Sequence, residues 1–135
     1  MFDLRKLLAG KRFTFSNEKE LQRAIKGILE DERIGFIREY HIAKGDIIDF
    51  YLPSYSKGMG ADGIGIEVKI KGDVGSIIRQ CERYLLHDCI ETLYLVTSRQ
   101  QHVALYEESH LFKEYSVPHC TVPARCQLII LEPSL

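Results

Sequence analysis

The feature that most constrains the fold is the run GIGIEVKIKG at residues 63–72, in which β-branched residues alternate with glycine, an acid and lysines. This period of two is the pattern of a β-strand. A strand would place its β-branched side chains on one face and would put Gly65, Glu67 and Lys69 on the other. Because this second face carries an acid and a lysine within an apolar run, it is either exposed to solvent or part of a site.

The neighbouring segments predict an alternation of helices and strands. Asn17 and Glu20 have the spacing of a capping box, and apolar residues at helical spacing follow them, which predicts a helix. AKGD is a turn sequence between two strand-like runs, which predicts a hairpin. The predicted order is a helix near 17–32, strands near 35–42, 46–52 and 63–71, a helix that Asp73 caps, and the strand ETLYLVTSR. This αβββαβ order predicts an α/β fold in which helices flank a central mixed sheet.

The C-terminal segments carry weaker patterns. QHVALYE is predicted as a fifth strand, residues 107–115 as a short helix, and CQLIILE as a last strand that completes the sheet or forms the edge of a dimer. We expect a single domain over residues 1–135, with its core at about 16–98 and an extension at about 99–135. A homodimer is compatible with this organisation.

Composition limits the function classes. The chain has 135 residues and a formal net charge of −1, so a nucleic-acid partner would need a local basic patch. No apolar stretch approaches the roughly 20 residues of a membrane span, and the charged N-terminus does not resemble a secretory signal. We therefore expect a cytoplasmic protein without a membrane partner. The spacing of the four cysteines does not match the common structural zinc sites, which favours free thiols.

A second acid lies in the preceding strand, where Asp49 is part of DIIDFYL. Alternation would put Ile48 and Phe50 on one face and Asp49 on the other, and a meander would bring Asp49 opposite Glu67. Two carboxylates this close repel each other unless a cation lies between them. Mg²⁺ commonly takes one or two carboxylates together with water and phosphate oxygens, so the two strands predict a metal site.

Further groups extend this candidate site. The backbone carbonyl of Val68 is an additional candidate ligand, and Lys69 would orient a water molecule or stabilise charge on a phosphate oxygen. Gly65 would leave room for a bulky polymer backbone, and Asp62, in the loop before the strand, is a secondary candidate ligand. The alternative is a solvated sheet face with mixed charges, which is the commoner meaning of an isolated acid-x-Lys triplet.

The succession of DIIDFYL, GIEVKIKG and a helix resembles the PD-(D/E)XK nuclease superfamily over roughly residues 16–98. The literal Pro-Asp pair is absent, because Ile48 precedes Asp49. The resemblance implies a restriction-endonuclease-like αβββαβ core and a site that uses Mg²⁺, with Mn²⁺ also accepted. The implied metal ligands are Asp49, Glu67, the Val68 carbonyl and Glu18, and the implied catalytic residues also include Lys69 and Gln80.

Two helix motifs add to the resemblance. Glu18 and Gln22 match a glutamate that reaches the metal site in many members and the glutamine that often follows it. The alternative for Glu18 is a first-turn acid that the helix dipole favours. Gln80 and Tyr84 are neighbours on one helix face and match the Q-x-x-x-Y element of RecB-like nucleases. The alternative there is a partly exposed glutamine above a core tyrosine.

The resemblance implies hydrolysis of phosphodiester bonds in nucleic acid, with DNA favoured over RNA. Phosphate contacts are expected from Lys71, Arg79, Arg83, Gln22 and Tyr84. The small chain also resembles compact Holliday-junction resolvases of archaea and phages, which favours structure-directed cutting of junctions, flaps or single strands in DNA repair or recombination. The alternatives are a catalytically inactive nuclease-fold protein that binds nucleic acid or a protein partner, and an unrelated α/β interaction module.

Overall fold

The computed structural model describes residues 2–53, 63–98, 104–105, 109–122 and 124–133. Within these ranges, three α-helices and seven β-strands are described over their whole length. The helices are α1 (Leu4–Leu8), α2 (Glu18–Asp31) and α3 (Val74–Leu85), and a 3-10 helix covers His110–Phe112. The strands are β1 (Ile37–Ala43), β2 (Asp46–Leu52), β3 (Gly63–Val68), β4 (Ile90–Thr97), β5 (Tyr115–Val117), β6 (Cys120–Val122) and β7 (Cys126–Ile130).

Five of the described strands form one mixed sheet in the order β1-β2-β3-β4-β7, and β5 and β6 form a separate hairpin. The pairs β1–β2 and β2–β3 are antiparallel, whereas β3–β4 and β4–β7 are parallel. The observed order α2-β1-β2-β3-α3-β4 confirms the predicted meander followed by a crossover to a parallel strand. Because β7 pairs with β4 of the same chain, the last strand completes the sheet.

Apolar side chains cover both faces of the sheet. α1 and α2 pack on one face, where Leu21, Ile25 and Leu29 of α2 are buried. α3 packs on the opposite face through a second cluster that includes Ile77 and Cys81. Each fully buried aliphatic side chain contributes about 1.5–3 kcal/mol to folding. Since helices cover both faces, every residue of β3 is buried, as expected for a parallel-sheet strand.

The alternation predicted for β3 is confirmed. Its β-branched residues, together with Ile70 after its end, lie in the core under α2, whereas Gly65 faces the α3 side. A Cβ atom at Gly65 would lie 2.3 Å from Cδ1 of Ile48 and 3.1 Å from Cδ1 of Leu93. Apolar side chains therefore fill the space beside Gly65, and the expectation that this space accommodates a polymer backbone is wrong.

One predicted orientation is also wrong in β2. Phe50 lies in the core under α2, but Ile48 lies in the core under α3, so the two do not share a face. The described pairing of β2 with β3 begins at Phe50, and the backbone N–H of Asp49 donates instead to the Glu67 side chain at 3.1 Å. Glu39, which lies in β1 between the paired residues Arg38 and Tyr40, has a φ of 49°. This left-handed conformation turns β1 at that point.

β3 ends at Val68, before the predicted end near residue 71. The backbone N–H of Ile70 donates to the Glu18 carboxylate at 3.0 Å. Because a side chain from α2 supplies this acceptor, the chain leaves the sheet and bends toward Asp73. Asp73 caps α3, as predicted, by accepting from the N–H of Ser76 at 3.0 Å.

The C-terminal part differs from the prediction. Ala104 and Leu105 are helical, so the predicted strand QHVALYE is wrong for its described residues, and the rest of that segment lies outside them, as does Asp62. The predicted helix at 107–115 is reduced to the 3-10 turn at His110–Phe112. The four cysteines are free, as predicted. In the described ranges, no helix combines the length and the apolar composition needed to cross a bilayer.

Candidate functional site

The candidate site lies where β2 and β3 run side by side. The N–H of Asp49 donates to Oε1 of Glu67 at 3.1 Å, and the N–H of Val68 donates to Oδ2 of Asp49 at 2.8 Å. Each carboxyl group therefore accepts a backbone hydrogen bond from the strand that carries the other. These reciprocal bonds fix both side chains and bring Asp49 and Glu67 together, as the meander predicts.

Glu67 is buried, with 3% of its surface exposed, so the alternative of a solvated sheet face is wrong for this residue. Burial raises the pKa of Glu67 to about 9, and the neighbouring Asp49 carboxylate adds to the increase. Burial also raises the pKa of Asp49, against the lowering effect of the Val68 N–H. On its own, the pair retains a proton at neutral pH, because a buried carboxyl group and its half-buried neighbour do not readily ionise together.

Polar groups from β3 and α3 surround Glu67. Nζ of Lys69 lies 4.0 Å from Oε2 of Glu67, and 28% of the Lys69 side chain is exposed. The hydroxyl of Tyr84 lies 3.2 Å from the same Oε2 and 2.7 Å from the carbonyl oxygen of Ile47. Gln80 donates to this hydroxyl at 2.9 Å. Gln80 and Tyr84 thus form a hydrogen-bonded connection from the surface of α3 to the buried carboxyl group.

Replacing Tyr84 with Phe is expected to lower the free energy of unfolding by about 1–2 kcal/mol, because the Ile47 carbonyl and the Gln80 amide lose a buried partner. Urea denaturation followed by circular dichroism measures this loss. Tyr40→Phe is the matched control, since the described residues offer no hydrogen bond to that hydroxyl, and it should change stability by less than about 0.5 kcal/mol. An equal loss in both variants would contradict the role of the Tyr84 hydroxyl.

Glu18 reaches the end of β3 from the first turn of α2. Its Oε1 accepts from the N–H of Ile70 at 3.0 Å and from the N–H of Lys71 at 3.5 Å. Its charge also contributes to the raised pKa of Asp49, after the larger effect of burial. Among the residues that the structure describes, no three His, Cys, Asp or Glu side chains are arranged to hold a metal ion. The structure therefore brings Glu18 to the site without joining it to Asp49 and Glu67 as a third ligand.

A groove of about 330 Å³ opens beside Lys69 on the α3 side. This α3 groove is lined by Lys69, Lys71, Gly72, Asp73, Ser76, Ile77, Arg79, Gln80 and Arg83. Lys71, Arg79 and Arg83, for which phosphate contacts are predicted, therefore lie together in a groove that Lys69 also lines. Arg83 is partly neutralised, because its Nε lies 3.2 Å from Oδ1 of Asp46.

The other two residues predicted to contact nucleic acid lie elsewhere. Tyr84 has 1% of its surface exposed, so it lies beneath the α3 groove and positions Glu67 and Gln80 instead of touching a substrate. Gln22 lies on the α2 side, where its Oε1 accepts from Nη2 of Arg38 at 3.0 Å. Sequence reasoning missed Arg38, since regular alternation in β1 does not reveal the turn that Glu39 introduces.

The residues present fit a hard divalent cation held by two carboxylates. Mg²⁺ commonly binds through one or two carboxylates and completes its shell with water and substrate oxygens. Asp49 and Glu67 offer that donor set, and a cation beside them would relieve their repulsion. The Val68 N–H is bonded to Asp49, whereas the role of the Val68 carbonyl stays a prediction.

Comparisons with known protein families, with curated protein sequences and with solved structures each find no significant match to this chain. The site is therefore interpreted from its own chemistry. That chemistry consists of two adjacent carboxyl groups, one of them buried, a partly exposed lysine and a groove lined with basic side chains.

Proposed function

We propose that the chain is a metal-dependent nuclease with a restriction-endonuclease-like fold, which hydrolyses phosphodiester bonds in nucleic acid, with DNA favoured over RNA. The observation that carries the proposal is the pair of Asp49 and Glu67, which adjoins Lys69 and the α3 groove. A purely structural role explains this pair poorly, because burying Glu67 beside a second, half-buried acid opposes folding. The order α2-β1-β2-β3-α3-β4 is the one that the sequence resemblance implies.

In this proposal, Asp49 and Glu67 hold Mg²⁺ or Mn²⁺, which when bound would supply the charge that activates water and stabilises the leaving oxygen. The backbone N–H groups of Val68 and Asp49 each hold one carboxyl oxygen. Lys69, with Nζ 4.0 Å from Glu67, orients the attacking water or donates to a phosphate oxygen. Glu18 is a positioning residue that fixes the backbone after β3.

Binding of the polymer requires contacts beyond the reacting phosphate. Lys71 and Arg79 line the α3 groove together with Lys69 and provide sequence-independent phosphate contacts. Since the net charge of the chain is −1, this attraction is local and is expected to weaken steeply with salt. Contacts of this kind suit an enzyme that selects substrates by structure, such as junctions, flaps or single strands.

Two observations favour a second candidate, a catalytically inactive nuclease-fold protein that binds nucleic acid. Oε1 of Glu18 already accepts from two backbone N–H groups, and the raised pKa of Glu67 means that a cation must displace a proton to bind. A protein of this kind would use the α3 groove for binding alone.

Cleavage of a labelled panel separates the two candidates. The panel contains single strand, duplex, flap and four-way junction, each incubated with Mg²⁺, with Mn²⁺ or with chelator. We expect metal-dependent cutting of at least one substrate and a loss of at least about 100-fold in Lys69→Ala. Lys113→Ala, which removes an exposed lysine, is the control. Binding without cutting by the folded wild type would support the inactive candidate, and neither binding nor cutting would reject both.

A further inference from the structure

A second basic groove lies on the α2 side of the sheet. This α2 groove has a volume of about 420 Å³ and is lined by Lys19, Gln22, Arg23, Lys26, Arg38 and Glu39. Four of these residues are cations and one is an acid. Over the described part of the chain, none of the four cations forms an ion pair with a carboxylate. Their charge is therefore directed to the groove and to solvent.

One helix face supplies most of the α2 groove. Lys19, Gln22, Arg23 and Lys26 follow the i, i+3, i+4, i+7 spacing that places side chains on one face of a helix, away from the buried face of α2. From the first to the last of these residues α2 rises by about 10 Å. With about 3.4 Å of rise per nucleotide, that length matches roughly three phosphates of one strand.

Arg38 completes the groove from the sheet. Its Cζ lies 4.5 Å from the centre of the Phe50 ring, and its Nη2 donates to Gln22 at 3.0 Å. Its Nε is buried and has no hydrogen-bond partner within the described residues. The ring contact and the bond to Gln22 hold the guanidinium in a fixed orientation, and because the buried Nε cannot be reached from solvent, the terminal Nη groups are the donors left for a phosphate. A fixed guanidinium fork suits phosphate oxygens.

The backbone of β1 is bent to present this arginine. Glu39 has a φ of 49°, a conformation that costs a residue other than glycine about 1–2 kcal/mol. Because of this turn, Arg38 lies on the α2 side, although Tyr40, two residues on, stacks with Tyr51 on the α3 side at 4.4 Å between ring centres. Regular alternation would have put both side chains on one face.

The two grooves approach each other at the end of β3. Lys19 lines the α2 groove, and its neighbour Glu18 accepts from the N–H of Lys71, which lines the α3 groove. α2 and α3 cover opposite faces of the sheet. One end of the α2 groove and one end of the α3 groove are therefore connected through Glu18 at the segment that follows β3.

We propose that the α2 groove binds the phosphates of a second strand, so that the substrate presents two strands at the site, the cut strand in the α3 groove and its partner in the α2 groove. This inference rests on the proposed function and narrows its substrate class from nucleic acid in general to duplex or branched duplex. The helical spacing of the cations and the fixed guanidinium favour a phosphate backbone over an acidic polypeptide, whose carboxylates lack that regular array.

Equilibrium binding in chelator tests the inference independently of cleavage. Wild type and the double variant Arg23→Ala, Lys26→Ala bind a labelled duplex and each of its single strands over a range of salt. For the duplex, we expect the affinity of the double variant to be about tenfold lower than that of the wild type. The slope of log affinity against log salt concentration should become shallower by about two. Single-strand affinity should change by less than about twofold. Lys11→Ala, Arg12→Ala removes two exposed cations outside both grooves and is the matched control.

The remaining outcomes overturn the inference. Unchanged duplex affinity would show that the α2 groove does not bind the second strand, and equal losses for duplex and single strand would show that it does not distinguish them. If the double variant loses affinity for polyglutamate and keeps that for duplex, the groove binds acidic polypeptide. Because no metal is present, an absence of cleavage in the substrate panel leaves this test unaffected, and the two proposals can fail separately.

Discussion

Glu67→Gln is expected to be more stable than the wild type at neutral and higher pH in chelator, although it loses the proposed reaction. The carboxyl group of Glu67 has an ordinary pKa of 4.5 in the unfolded chain and a pKa of about 9 in the folded protein. Between these values the unfolded chain has released a proton that the folded protein keeps. The free energy of unfolding therefore falls as pH rises, by up to about 1.4 kcal/mol per pH unit.

The sign of this effect follows from the raised pKa. Below about pH 4.5 Glu67 is protonated in both states, and its stabilising effect is fully present. It is lost as pH rises toward 9. Glutamine has nearly the same shape and carries no ionisable group, so Glu67→Gln should show a flatter dependence over this window. The difference between the two proteins should then increase with pH.

Urea unfolding at a series of pH values measures this difference. Glu82→Gln, which changes an exposed glutamate on α3, is the matched control and should keep the slope of the wild type. Equal slopes in Glu67→Gln and the wild type would contradict the protonated state of Glu67. The cleavage assay on the same proteins then separates stability from activity, since the more stable variant should be the inactive one.

Mg²⁺ or Mn²⁺ is expected to raise the melting temperature of the wild type and to have little effect on Asp49→Asn or Glu67→Gln. A ligand present at 100 times its dissociation constant stabilises the folded state by about 2.7 kcal/mol, a shift on the order of 10 °C for a domain of this size. The shift should increase with pH, because the cation competes with the proton that the pair retains.

Differential scanning calorimetry at matched ionic strength measures these shifts, with KCl as the ionic control. Glu18→Gln tests whether a third acid contributes to cation binding. Glu18 bonds to the backbone of Ile70 and Lys71, and among the described residues no three His, Cys, Asp or Glu side chains are arranged to hold a metal ion. The variant should keep most of the shift produced by the cation. A full shift in Asp49→Asn would contradict the assignment of that carboxylate as a ligand.

The tertiary fold was largely predictable from sequence, because its signals are local. The helical spacing that follows Asn17 predicted α2, and AKGD predicted the turn between β1 and β2. The alternation in residues 63–68 correctly assigned the two faces of β3. One error lies where a side chain replaces a backbone partner: Glu18 accepts from the chain after β3, and β3 ends early. Other errors lie in the C-terminal segments, where the sequence patterns are weak.

The sequence predicted which residues form the candidate site better than it predicted how those residues are arranged. Strand pairing predicted the contact of Asp49 with Glu67, and helical spacing predicted that of Gln80 with Tyr84. The sequence left open whether Tyr84 contacts substrate or lies in the core below Gln80, and the packing of α3 on the sheet decided for the core. Arg38 was missed because its orientation depends on the left-handed conformation of Glu39.

The sequence by itself determined the order of elements, the face of β3 that carries Glu67, and the approach of Asp49 to it, because period and strand pairing act through neighbouring residues. Only the tertiary structure decided that Glu67 is buried, that Gly65 accommodates Ile48, and that basic side chains gather in two grooves. Those properties depend on packing between α2, α3 and the sheet, where contacts join residues far apart in the chain and no local pattern specifies them.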